Sequence, residues 1–463
     1  MDTRHSFHSL GAGQHASDLD TLRRKLHGEV ILPGDPGYEV ARTVWNGAVD
    51  KRPAMVVYCA STADVVETVA LAQSGNHLVA VRSGGHNVAG LSVCDDGIVI
   101  DLSRMKRILV DPERCVVRAE AGLSLGEFDA ATQAHGLATT MGVNSDTGVA
   151  GLTLGGGFGK LGRKHGLACD NLLAADVVLA DGRLLKASAT ENEDLFWGLR
   201  GGGGNFGIVT AFEYQLHPVG PTLLVCSVLH PYPRARDAMR FYDDFCAQAP
   251  DELSVDAALV TNASGERFFS ISACYCGENE IGERMMLPLL AHGSPLESRL
   301  TSVPYLQIQS AGDSVFPRGR RYYWKAQFLH SLTDAAIDTL LEAYARAPST
   351  DSLLVFQHVG GAIARVAASA TPYANRDARY DCFPISIWDA PSDEGPAVQW
   401  ARDMWNAVKP FSTGGVYANN LGDEGEDRVR AAYGENYARL AALKAKYDPA
   451  NFFRLNQNIR PSA

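Results

Sequence analysis

Twenty-three of the 45 glycines in this 463-residue chain fall between Gly84 and Gly207. Glycine makes up near a tenth of the sequence, against an ordinary usage of about 7%. The density peaks over residues 141–166, which hold Gly142, Gly148, Gly151, Gly155, Gly156, Gly157, Gly159, Gly162 and Gly166. Each interior glycine costs a helix or strand roughly 0.5–1 kcal/mol relative to alanine, so neither a regular helix nor a central strand is expected there. Such a stretch persists where backbone must press closely against something. The glycines have no period of three, which excludes collagen. A hydrophobic fraction of 46% excludes disorder as the main state.

Charge narrows the partners. The formal net charge is -11, and the densest basic stretch, Arg318, Arg320, Arg321 and Lys325, is too short to make a nucleic-acid face. The nine cysteines include one close pair, Cys274 and Cys276, with nothing nearby to complete a metal quartet. They read as thiols of a reducing compartment, and the chain as cytoplasmic and metal-free. No apolar run reaches about 18 residues, so no membrane partner is expected. Met1 to Gln14 has no apolar core of the kind a secretory signal needs.

Residues 54–59 read as a strand. Ser61 with Asp64 reads as a capping box opening a helix, and residues 77–82 as a second strand, which makes a small β-α-β unit. Two further strands are expected at 97–102 and 115–121, with a helix from about 125 to 134. Residues 174–187 read as a hairpin turning at Asp181-Gly182. A short helix, a glycine loop and a long strand fill 195–216. Composition changes after residues 218–221: glycine thins out, and longer strands alternate with helices such as Asp334 to Ala347. A single helix is expected from Asp427 to Lys446. The boundaries that follow are 35–220, 221–415 and 416–463.

Two local motifs tempt. Gly157-Phe158-Gly159-Lys160-Leu161-Gly162 fits the dinucleotide fingerprint, with Asp181 about 20 residues on. That mechanism needs a helix starting at the glycines, and the residues that follow show no amphipathic period. Gly122-Leu123-Ser124-Leu125-Gly126 fits the nucleophile elbow of an α/β hydrolase. Ser124 and Glu127 also make a capping box, which accounts for the same residues without chemistry.

The loop Arg82-Ser83-Gly84-Gly85-His86-Asn87 is of another kind. Consecutive N–H groups in a glycine loop after a strand form a concavity suited to phosphate oxygens, and His86 stands in it. Together with residues 97–105 (GIVIDLSRM), 147–172 (TGVAGLTLGGGFGKLGRKHGLACDNL), 194–210 and 447–459 (YDPANFFRLNQNI), this chain resembles the FAD-linked oxidases of the vanillyl-alcohol oxidase superfamily, most of all the berberine-bridge-enzyme-like branch. The match is strong over roughly 35–220 and good over the last 45 or so residues.

The resemblance implies an α+β fold of two domains. The flavin domain would be discontinuous, and the inserted substrate domain would be an antiparallel sheet covered by helices. It implies FAD bound through the 8α carbon to His86, with Arg82, Ser83, Gly84, Gly85 and Asn87 around the pyrophosphate. Val143, Thr147, Gly148, Gly151, Gly155, Gly156 and Gly157 would run along the flavin, Gly207 and Val209 would lie on the adenosine side, and Tyr417, Asn456 and Asn458 would return to the cofactor. Some relatives carry a second bond from a cysteine where this chain has Asn144, so a single link is expected. Thr147, nearly isosteric with the valine often found there, is compatible with reaction of oxygen. The usual catalytic tyrosine is replaced by Asn420, which leaves Tyr417, Lys325, Tyr323 and His358 as alternatives beside it. The activity implied is hydride transfer from a small-molecule C–H to flavin N5, with oxygen reduced to peroxide. A dehydrogenase of the same fold is the alternative, and the expected assembly is a monomer or homodimer.

Overall fold

The structure, a computed structural model, describes residues 12–462. Most of the segment Met1 to Gln14 lies outside them. A four-stranded sheet runs in the order Glu29–Ile31, Met55–Tyr58, Ile98–Asp101, Val79–Arg82. Its last three strands are parallel, so both faces are covered and their sequences are almost wholly apolar. The helix Thr62–Ser74 makes the crossover, and Ser61 caps it by accepting the Asp64 N–H. A five-stranded sheet follows, in the order Ile108–Asp111, Val116–Glu120, Ile208–Gln215, Leu172–Val178, Leu184–Ser188. The last two strands are the expected hairpin.

The large sheet takes its strands from Thr222 to Trp388 and is antiparallel throughout. Its period of two sorts the side chains. Leu224, Cys226, Val255, Ile271, Phe356 and Cys382 face a core shared with the helices Ala235–Ala247, Asp334–Tyr344 and Glu394–Val408. The intervening residues face the other way, toward the glycine loops. The chain then returns to the first part. The helix Tyr437–Tyr447 packs beside Glu193–Leu199, and Asn205 Oδ1 accepts the Ile459 N–H. The fold is thus the two-domain α+β arrangement, with a discontinuous first domain.

A short N-terminal segment clasps the inserted part. Asn46 Nδ2 donates to the Val88 and Tyr322 carbonyls, and its Oδ1 accepts the Tyr322 N–H. Trp45 donates its indole N–H to the Phe316 carbonyl and stacks on Tyr322 with ring centroids 4.0 Å apart.

Two expectations need correction. Residues 141–166 do hold helix, in short pieces at Val149–Leu154 and Gly162–His165. Gly148 and Gly155 sit at the caps of the first piece, so of its glycines only Gly151 is interior. The C-terminal helix is also broken, into Glu426–Tyr433 and Tyr437–Tyr447. Gly434 at φ 51° turns the chain there, because only glycine takes the left-handed region without strain.

Asp129, on the helix Leu125–Gln133, is wholly buried. Burial raises its carboxyl to about 7, although Gln309 Nε2 donates to it. Unfolded, it titrates near about 3.9. The folded state therefore keeps a proton that the unfolded state releases, and stability falls as pH rises between those values. The melting temperature should drop between about pH 5 and pH 8, and Asp129→Asn should lessen that drop. An unchanged drop in the variant would refute the assignment.

Candidate active site

A cavity of about 750 Å³ lies between the glycine loops, the inner face of the large sheet and the returning C-terminal segment. Its walls form from local necessity. The loops bearing Gly84 and Gly148 cross so closely that a Cβ on Gly84 would lie 2.2 Å from the Gly148 nitrogen, and one on Gly148 would lie 2.3 Å from the Gly84 nitrogen. Only two glycines allow this crossing. At Gly151 and Gly204, both lining the cavity, a Cβ would meet no protein atom within 4 Å.

His86 stands at one wall, its side chain 14% exposed, with Nε2 2.8 Å from Asp146 Oδ1. Thr147 Oγ1 is 3.4 Å from Nδ1, and the Trp45 ring stacks on the imidazole at 5.1 Å. Burial pushes the Asp146 carboxyl up, but the His86 hydrogen bond and charge, with Arg318 beyond, more than offset this and hold it below the usual range.

Opposite, the sheet presents Val225, Val355, Phe383 and Ile385 together with a polar row. Ser227 pairs with Ser272, and Ser272 with Asp256. Gln357 pairs with Asp381 farther along the sheet. Lys160 reaches across from the glycine-rich segment to bind Asp256 at 2.5 Å. Desolvation works against the Lys160 charge, yet Asp256 outweighs it and the ammonium is held above its ordinary value.

Most of the expected cofactor residues come together. Ser83, Gly84, Gly85, His86, Asn87, Val143, Thr147, Gly148, Gly151, Gly155, Gly207, Val209, Tyr417 and Asn456 all line the cavity. Arg82, Gly156, Gly157 and Asn458 do not. Arg82 is buried behind the loop, where it donates to Asp101 and to the Thr43 and Ala41 carbonyls, so it anchors the strand end. Gly157 gives its N–H to the Tyr417 oxygen, and a Cβ there would strike the Ala168 methyl at 2.4 Å. Its role is to seat Tyr417.

The catalytic candidates separate by strand alternation. Trp324 points into the cavity, whereas Tyr323 turns to the helix side and accepts from Arg402. Lys325 is ion-paired with Glu424 and lies over the Trp405 ring. His358 is on the helix side too, hydrogen-bonded with Arg163; burial and that guanidinium drive it well below its ordinary value. These three are not brought to the cavity. Tyr417 and Asn420 are. Burial holds the Tyr417 phenol far above its usual range despite two donors to its oxygen, Gly157 N and Asn419 Nδ2, so it stays protonated and is no base at neutral pH. Ser124 lies outside the cavity, with its Oγ in the capping box with Glu127, which removes the hydrolase alternative. Gly157 to Gly162 leads into a four-residue helix with no strand before it, unlike a dinucleotide fold.

Trp45, Asp146, Lys160, Asp256, Gln357 and Asp381 were not legible as site residues. Each is an ordinary position in its local sequence and gains its place only through the strand register or a long-range packing contact.

The lining fits a large, polar-edged cofactor. Ser92 Oγ, Asn144 Oδ1, Asn456 Oδ1 and Trp324 Nε1 are buried lining atoms with no protein partner, and buried polar groups are seldom left so. Comparison with known proteins agrees. Residues 53–188 match the FAD binding domain family, and residues 416–460 match the family described as berberine and berberine like. An FAD-linked oxidoreductase of Dictyostelium discoideum is 32% identical, covering 94% of this chain and 95% of its own length. The (R)-6-hydroxynicotine oxidase of Paenarthrobacter nicotinovorans is 30% identical, over 94% of this chain and 97% of its own. The crystal structure of 6-hydroxy-D-nicotine oxidase from Arthrobacter nicotinovorans superposes with a TM-score of 0.88 at 28% identity, covering 94% and 98% of the two chains. Berberine bridge enzyme shares the fold, with a TM-score of 0.87 at 22% identity over 97% and 99%. The fold and the site are those of a flavoprotein oxidoreductase. The chain belongs to the berberine-bridge-enzyme-like family of FAD-linked oxidoreductases.

Proposed function

We propose that this protein is an oxidase that holds FAD by one covalent bond, from His86, and oxidises a small molecule bound against the inner face of the large sheet. The convergence of both glycine loops and His86 on one cavity carries the reading. FAD supplies the hydride acceptor and, on reoxidation by oxygen, the route to peroxide. Asp146 Oδ1 lies 2.8 Å from His86 Nε2, and Nδ1, which faces Thr147 at 3.4 Å, would carry the tether. Asn144 offers no thiolate, and Cys169 is buried away from the cavity with its thiol pushed up by burial, which supports a single link.

Trp324, Phe383, Ile385 and Val355 exclude water from the substrate, while Gln357, Asn420 and the Lys160–Asp256 pair offer the polar contacts that orient it. This lining, apolar with few polar groups, suits a small organic molecule. A cytoplasmic setting is supported by nine cysteines with no disulfide between them. Purified protein should be yellow and should release peroxide with some member of a panel of alcohols, sugars and cyclic amines. Colourless protein refutes the flavin. Flavin that is reduced by a substrate but reoxidised sluggishly in stopped flow would make the protein a dehydrogenase instead.

A further inference from the structure

Asn420 occupies the position where a proton-accepting tyrosine is usual, and its amide cannot take a proton. What holds that amide is Asp381. This residue is on the inner face of the Tyr380–Trp388 strand, two and four residues before the cavity-lining Phe383 and Ile385. It is fully buried, behind Asn420. Its Oδ2 accepts Asn420 Nδ2 at 2.6 Å, while its Oδ1 has no protein partner.

The groups around it are neutral: the Tyr373 and Tyr417 phenols, the Cys382 thiol and, across the strands, Gln357. A carboxylate can only accept, so it turns the amide –NH2 toward itself and the carbonyl away. Asn420 lines the cavity, and among the described residues no donor reaches its Oδ1.

We propose that Asp381 is a positioning residue that presents the Asn420 carbonyl to the cavity as acceptor for an N–H or O–H borne by the carbon to be oxidised. The site would therefore select alcohols over the corresponding ethers. This rests on the cavity being the oxidation site. Burial raises the Asp381 carboxyl to about 7, the Asn420 bond opposing it. Below that pH a protonated Asp381 donates to Oδ1, the amide turns round, and the cavity is offered –NH2 in place of C=O. Preference for donor-bearing ligands thus rises with pH through about 7 and is lost below it.

The test uses the flavin-loaded enzyme and reads ligand binding from the flavin spectrum. The probes are benzyl alcohol against benzyl methyl ether. At about pH 8 the wild type should favour the alcohol over the ether by about tenfold, the worth of one hydrogen bond. At about pH 5.5 the preference should vanish. Asp381→Asn and Asp381→Leu should keep their flavin and show little preference at either pH. Equal affinity for the alcohol and the ether at the higher pH, including no binding of either, overturns the proposal. So does a preference that is indifferent to pH, which the wild type reports even if neither variant folds. Loss of the oxidation reading would show separately, as flavin-loaded protein that no compound of the peroxide panel reduces.

Discussion

His86→Ala should turn a flavin that stays with the acid-precipitated protein into one that stays in the supernatant. In the wild type the colour should remain in the pellet after precipitation and washing. In the variant the cavity walls built from Gly84, Gly148 and Gly151 remain, so FAD should still bind, but dissociably. Substrate turnover should fall by at least about tenfold, because losing the tether changes both the position and the electronics of the cofactor. Asp146→Asn, which weakens the hold on Nε2, should slow covalent attachment without abolishing it. A His86→Ala protein whose pellet keeps its colour after washing would assign the bond to another residue.

Lys444→Met should be the most destabilising single change in the returning segment. Lys444 and Asp448 are both 0% exposed. The ammonium donates to Asp448 Oδ2 and to the Asn205 and Phe453 carbonyls, and Asp448 also accepts the N–H groups of Phe452 and Phe453. Desolvation works against the Lys444 charge and lowers its proton affinity, with Asp448 offsetting part of this. Removing one partner of such a pair strands the other charge, at a cost of about 3–5 kcal/mol. Asn205 stands beside Gly203, Gly204 and Gly207 of the cavity wall, so flavin retention should fall along with stability. Urea unfolding measures the first and absorbance after gel filtration the second. Adding Asp448→Asn should recover part of the loss. A Lys444→Met protein with an unchanged midpoint would mean that the pair contributes nothing.

Both predictions concern parts of the chain that the sequence made unequally legible. The glycine loops could be read because steric exclusion leaves a local mark: a crossing like that of Gly84 and Gly148 requires glycine wherever it occurs. The strand-helix-strand unit and the Ser124 cap are local as well. Asp381 left no such mark. Its place on the inner face depends on the register of a strand paired across the sheet, and its burial on a C-terminal segment about 40 residues away. Lys325 and Tyr323 misled for the same reason, since a polar residue near the right position is useful only if alternation turns it inward. Trp45, ahead of every motif, reaches the site by stacking on residues nearly three hundred positions later.

That stacking has a mechanical consequence. With the Asn46 side chain making three long-range hydrogen bonds, one to the histidine loop and two to the inserted strand, the two domains are riveted at the rim of the cavity rather than hinged. A swing of the inserted domain would have to break these contacts, so displacement of side chains alone is the less costly way to admit a ligand. The same clasp should make the molecule melt in one calorimetric step despite its two cores, with the Asn46→Ala protein separating into two.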